Sequence, residues 1–142
     1  MIEVAIVRVV SKTLIPFILL FALYVQFHGD FGPGGGFQAG VIFAAGFILY
    51  GLVFGIRALR RVVSQTFLEG LIAGGLLLYA ITGVACMVKG GNFLDYGALD
   101  HHSAVHGRHL GLLLIELGVG ITVASVMVTI FINFADRSSK QK

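Results

Sequence analysis

This sequence has little charge. Only 12% of its 142 residues are Asp, Glu, Lys or Arg, against about 25% in a soluble globular domain. That shortfall excludes an ordinary solvated globule, and a 57% hydrophobic share points to lipid as the surrounding medium. Cysteine is scarcer still. Cys86 stands alone, so no intrachain disulfide can staple the fold. A secretory leader lacks its cleavage signal too. Arg8 and Lys12 precede an apolar run in the right order, but bulky residues in "ALYVQFHGDFG" stand where the peptidase needs small ones. The first segment is expected to stay.

What the sequence has instead is long uncharged runs. Phe37–Ile56 and Leu71–Val88 carry no charge, and Leu110–Phe134 carries one, Glu116. A bilayer core of about 30 Å takes roughly 20 apolar residues as a helix, so each run predicts a membrane span. A fourth, Thr13–Phe27, is shorter; Lys12 can snorkel, and the apolar turns around Val4–Val10 can lengthen it. The expectation is an all-α integral membrane protein. It has one domain over residues 1–142, with four transmembrane helices at about 5–27, 37–56, 69–88 and 110–134.

Basic residues are asymmetric along these spans. Arg8 and Lys12 precede the first, Arg57, Arg60 and Arg61 follow the second, and Arg137, Lys140 and Lys142 follow the fourth. The first connecting loop has none, and the third has only Lys89 and Arg108. Positive loops stay in the cytoplasm, so both termini are expected inside and the loops near residues 28–36 and 89–109 outside. The basic excess then reports topology rather than a surface for nucleic acid.

Between the first two spans lies "HGDFGPGGGFQAG", residues 28–40. Gly34, Gly36 and Ala39 fit a G-x-G-x-x-G/A pattern, but a dinucleotide fingerprint needs a strand before it and an acidic residue about twenty positions on. Here an apolar helix precedes, and "GIRAL" stands at 55–59. A phosphate loop of the Lys-Ser/Thr type fails as well, since Phe37-Gln38 follows the glycines. The stretch suits a tight re-entry, with Pro33 presetting the backbone and Gly34, Gly35 and Gly36 allowing close approach. Small residues at helical spacing (Gly36/Gly40/Ala44, Gly51/Gly55, Gly70/Gly74, Gly107/Gly111) let membrane helices pack closely. Four helices cannot bury so many such faces alone, which implies neighbouring membrane subunits.

The glycine loop ahead of an uncharged helix, together with "ELGVGITVASVMV" in the last span, resembles the B-type subunit of the multisubunit Mrp-type (Mnh-type) Na⁺/H⁺ antiporters. The resemblance is carried by Pro33–Phe37 and Glu116–Val119 and extends over nearly the whole chain, with an aspartate in the family where this chain has Glu116. It implies a bacterial or archaeal cell membrane and a hetero-oligomeric complex with subunits of the A, C, D, E, F and G types. Such a complex exchanges cytoplasmic Na⁺ for external H⁺, driven by the proton-motive force and without a cofactor. A chain this small would be inactive alone, a transporter subunit rather than an enzyme. A membrane-arm subunit of a related hydrogenase-type or complex I-like assembly is the alternative within the same module class.

Glu116 is the first candidate for ion handling. An ionisable residue within a span is costly and marks an ion path by default; its structural counterpart is a salt bridge to a neighbouring subunit's Lys or Arg. Glu69 begins the third span, where a helix N-terminus and a cytoplasmic salt bridge to Arg57, Arg60 or Arg61 account for it without transport. His28 and Asp30 sit at the outer mouth, where a titrating pair could pass protons or simply cap a solvated loop. Phe37 is a packing anchor or a gate lining. His102, His106 and His109 fall at i, i+4 and i+7, beside His101, and such spacing can hold a metal. Against a metalloenzyme stand Gly107, expected to break that helix, and the lack of a carboxylate in H-E-x-x-H register.

Overall fold

A computed structural model describes residues 2–29, 34–100 and 103–140. Five α-helices dominate it: α1 (Ile2–His28), α2 (Gly36–Phe54), α3 (Ile56–Val62), α4 (Gln65–Val88) and α5 (Ala104–Lys140), with a short 3-10 helix at Tyr96–Leu99. No strand occurs among the described residues. Four helices are long and apolar enough to cross a membrane, over Ala5–His28, Gly36–Phe54, Gln65–Val88 and Val105–Arg137. The all-α, four-span architecture stands.

The helix ends differ from the charge-free runs, for local reasons. α1 runs unbroken through Lys12 and Pro16, so the turns around Val4–Val10 do extend the short first span. α2 stops at Phe54 because Gly55 turns left-handed (φ +94°), a conformation that strains any other residue; its amide still closes on Gly51 O at 2.9 Å. α4 starts at Gln65, four residues before Glu69, because the Ser64 hydroxyl accepts the Phe67 amide at 3.2 Å. α5 starts at Ala104, where the Ser103 hydroxyl accepts from the His106 amide at 3.3 Å. The expected break at Gly107 is absent. Gly107 is buried inside α5, and a Cβ there would lie 2.6 Å from Tyr96 O.

The spans stand in a row rather than a closed bundle. α1 packs on α2, α2 on α5, and α5 on α4, while α1 and α4 end the row and share no packed interface. α5 approaches both neighbours through glycine. Toward α2, a Cβ on Gly40 would lie 2.7 Å from Gly120 O; toward α4, one on Gly75 would lie 2.7 Å from Gly118 O. Such backbone contact is how membrane helices gain dispersion where lipid removes the hydrophobic drive. The side-chain core sits at the α3 end, where Ala44, Leu59, Val63, Leu68, Val128 and Ile132 cluster against Phe47, Ile48, Tyr50 and Phe131. Arg60 of α3 pairs with Asp136 of α5 at that end.

Candidate functional site

At the opposite end, Gly29, Gly35 and Gly36 meet Glu116. α1 finishes at His28, α2 starts at Gly36, and α5 carries Glu116 past both ends. A Cβ on Gly29 would lie 2.7 Å from Glu116 Oε2 and 2.9 Å from Oε1, and one on Gly35 would lie 3.5 Å from Oε1. A Cβ on Gly36 would run into the Glu116 carbonyl oxygen itself. Two hydrogens where side chains would otherwise stand, at Gly29 and Gly35, therefore leave room for the carboxyl group, and a third, at Gly36, for the Glu116 backbone. Gly35 adds a second constraint, because its φ of +139° is left-handed and a side chain would be strained there whatever the space.

The electrostatics of the seat favour an anion. The first amides of a helix have no intrahelical acceptor and carry the positive end of its dipole. Gly35, the N-cap of α2, has no side chain to cap them, and the first turn of α2 holds no acidic residue. Glu116 Oε1 lies 3.5 Å from where a Cβ on this N-cap would stand, at a helix end that favours an anion. Glu116 is half-buried, at the level of the α1–α2 loop and about 18 Å along α5 at 1.5 Å per residue. Its place is the mouth of the spans rather than their middle.

Two further residues join the site that sequence patterns alone do not single out. Gln26, in the last turn of α1, reaches α5 beneath Glu116; a Cβ on Gly120 would lie 2.5 Å from Gln26 Oε1. The signals for it are a lone amide among apolar residues and a glycine four positions after the acid. Gly29 is visible in the sequence only as part of a glycine-rich stretch.

The other candidates separate. His28 is exposed in the last turn of α1, stacked on Tyr24 with ring centroids 5.1 Å apart, next in sequence to the Gly29 that backs the carboxylate. Gly34 packs on the end of α1, where a Cβ would lie 2.9 Å from Val25 O. Asp30 and Pro33 lie outside the described residues, as do His101 and His102. Phe37 is 65% exposed and turns away from the chain, so within this subunit it is no packing anchor. Glu69 lies at the far end, exposed, where it accepts from Gln65 Nε2 at 3.1 Å; Asp136, not Glu69, takes the arginine of α3. His106 and His109 are exposed on α5, and among the described residues no three His, Cys, Asp or Glu side chains gather.

Beyond α4 the chain folds back as a cap. Lys89 Nζ donates to Leu99 O, Phe93 fills the space beside Gly83, and the Tyr96 ring covers Gly111, where a Cβ would lie 2.6 Å from the ring. Burial, with smaller contributions from Tyr79 and Cys86, holds the Tyr96 phenol above its usual range.

Comparison with known proteins bears on this arrangement. Residues 6–129 match a family model described as a domain related to the MnhB subunit of Na⁺/H⁺ antiporter. A Staphylococcus haemolyticus protein named as antiporter subunit mnhB2 is 33% identical over 129 residues, covering 89% of this chain and 91% of the relative. A Staphylococcus aureus (strain Newman) protein of the same name is 32% identical over 132 residues, covering 92% and 93%.

Proposed function

The chain belongs to the family of proteins related to the MnhB subunit of Na⁺/H⁺ antiporters and is a membrane subunit of such a complex; within it, we propose that Glu116 on its glycine seat is a carboxylate station for the exchanged ions. The observation that carries this reading is the juxtaposition of Gly29, Gly35 and Gly36 with the Glu116 side chain and backbone. A carboxylate at a span's mouth, held against the amide end of α2, can take a proton from one side or a cation in its place. His28 and Asp30, at the end of the same helix and in the loop that follows, are the route by which protons reach it. Gln26 beneath it keeps the entry polar on the inward side. Glu69 has no part in the site.

On this reading of its charges, the subunit has both termini in the cytoplasm and the station outside, in a bacterial or archaeal cell membrane among the A-, C-, D-, E-, F- and G-type subunits. It does no coupled antiport alone. Exchange of cytoplasmic Na⁺ for external H⁺ belongs to the assembly, with no cofactor.

Replacing Glu116 tests the proposal. Glu116→Gln keeps shape and hydrogen bonding but removes the charge. Na⁺-driven proton movement in inverted vesicles is expected to fall at least about tenfold, the scale of losing one charge-assisted interaction. The complex, isolated through a tag on this chain, should retain its other subunits. Glu116→Asp should keep part of the exchange. Near-wild-type exchange in the Gln variant would make Glu116 structural, and loss of the whole complex would assign it to a salt bridge with a partner.

A further inference from the structure

The row of spans leaves a broad face, and on it all four contribute to one groove of about 390 Å³. Ala22 and Gln26 of α1, Phe43 and Phe47 of α2, Ala124 of α5 and Phe67 of α4 are among its walls. It runs from Gln26, beside the glycine end, to Val63 and Phe67, beside α3. The walls are apolar almost throughout. Drug-sized sites span about 300–1,000 Å³, so this groove takes one flexible chain. A transmembrane helix, about 10–12 Å across with its side chains, would stand proud of it.

The α3 end supplies charge. α3 is seven residues long, too short to span, and joins two spans, so it lies at a membrane surface. Its Leu59 is fully buried in the core. Arg57 and Arg61 stand two residues to either side of Leu59, and at 3.6 residues per turn both fall on the face opposite it. Both are exposed. Arg60, between them, is neutralised by Asp136, whereas no ion pair engages Arg57 or Arg61 among the described residues. An amphipathic surface helix with basic residues on its outer face is the form that binds anionic headgroups. Val63, which lines the groove, directly follows α3.

We infer that this subunit holds an anionic phospholipid, one acyl chain in the four-helix groove and its phosphate on the Arg57–Arg61 pair. One molecule then supplies both the apolar filling and the counter-charge. The inference depends on the chain spanning a membrane, not on the role of Glu116.

The test uses the intact complex, stripped of lipid in detergent and titrated with dioleoyl phosphatidylglycerol or dioleoyl phosphatidylcholine, with lipid bound per complex read by mass spectrometry. The phosphatidylglycerol should saturate at a site that the Arg57→Gln/Arg61→Gln double variant weakens about thirtyfold, the scale of two surface arginines. Arg137→Gln, another exposed arginine, should leave that site intact. Ala124→Phe, which fills the groove without touching charge, should also abolish it. Glu116→Gln should bind as wild type, so a failed ion-station proposal would leave this result unchanged. Equal binding of the two lipids, or no change in the arginine variant, would overturn the inference. So would a cross-link from Phe43→Cys to another subunit's helix.

Discussion

A hydrogen in place of a side chain decides most at the scale of single residues. Gly36 cannot carry a Cβ without displacing the Glu116 backbone, and backbone on both sides leaves nothing flexible to yield. Gly36→Ala is therefore expected to cost about 1–3 kcal/mol, as overpacked contacts do, and to lower the amount of assembled complex on a membrane blot. Gly74 belongs to a similar-looking stripe on α4, but nothing lies within 4 Å of its Cβ position. Gly74→Ala should leave this chain's own packing intact and gain up to about 1 kcal/mol of helix propensity. Matching losses in the two variants would mean that the seat has no special place in the fold. The sequence shows the glycines and the acid but not that they meet. Gly36 and Glu116 are eighty positions apart, and no local periodicity reports a contact across that distance.

Among elements, hydropathy locates all four spans, while their ends follow caps and turns. Ser64 and Ser103 start α4 and α5 earlier than the loss of charge suggests, and Gly55 ends α2 before the uncharged run does. Gly107 reads as a breaker in the sequence because glycine has low helix propensity. In place it serves close packing against Tyr96, and that burial outweighs propensity. The cap over α5 is where pH should act. A phenol favoured in its neutral form by burial stabilises the cap fully below the ordinary tyrosine value near 10. That contribution disappears as pH rises through the raised folded value. Protection of the segment 89–100 against hydrogen exchange, relative to the free-amide rate at each pH, is thus expected to fall only above about pH 10. Tyr96→Phe keeps the ring on Gly111 and loses the titration, so its alkaline loosening should move to still higher pH. Identical profiles for the two proteins would place the titrating group elsewhere.

Taken whole, the molecule is an open row whose outward side chains are apolar: Phe17, Leu20 and Phe27 on α1, Leu76, Ile81 and Val88 on α4. Composition announces that surface, and the unfilled positions beside Gly70 and Gly74 agree with the expected surplus of small-residue faces. The order of helices across the row is not legible in the sequence, because four amphipathically weak spans can be arranged many ways until glycine-to-glycine contacts choose one. Orientation is a proposal from the arginines of α3, whose charge favours the cytoplasmic side. A phosphatase reporter fused after Lys142 should be silent and a cytoplasmic reporter active; the reverse pattern would invert the subunit and put Glu116 on the inner side.

The central claim, that loop and carboxylate act as one station, is tested most directly by a double-mutant cycle on exchange. The atoms nearest to a Cβ on Gly29 are those of the Glu116 carboxyl group, so Gly29→Ala should displace the carboxylate while the complex still assembles. Na⁺-driven proton movement is measured for Gly29→Ala, Glu116→Gln and both together, at equal amounts of intact complex. Groups that act as a unit lose their function once, not twice. The double variant should therefore fall no further than Glu116→Gln alone. If the two losses instead multiplied, the loop and Glu116 would be acting independently, and there would be no single station.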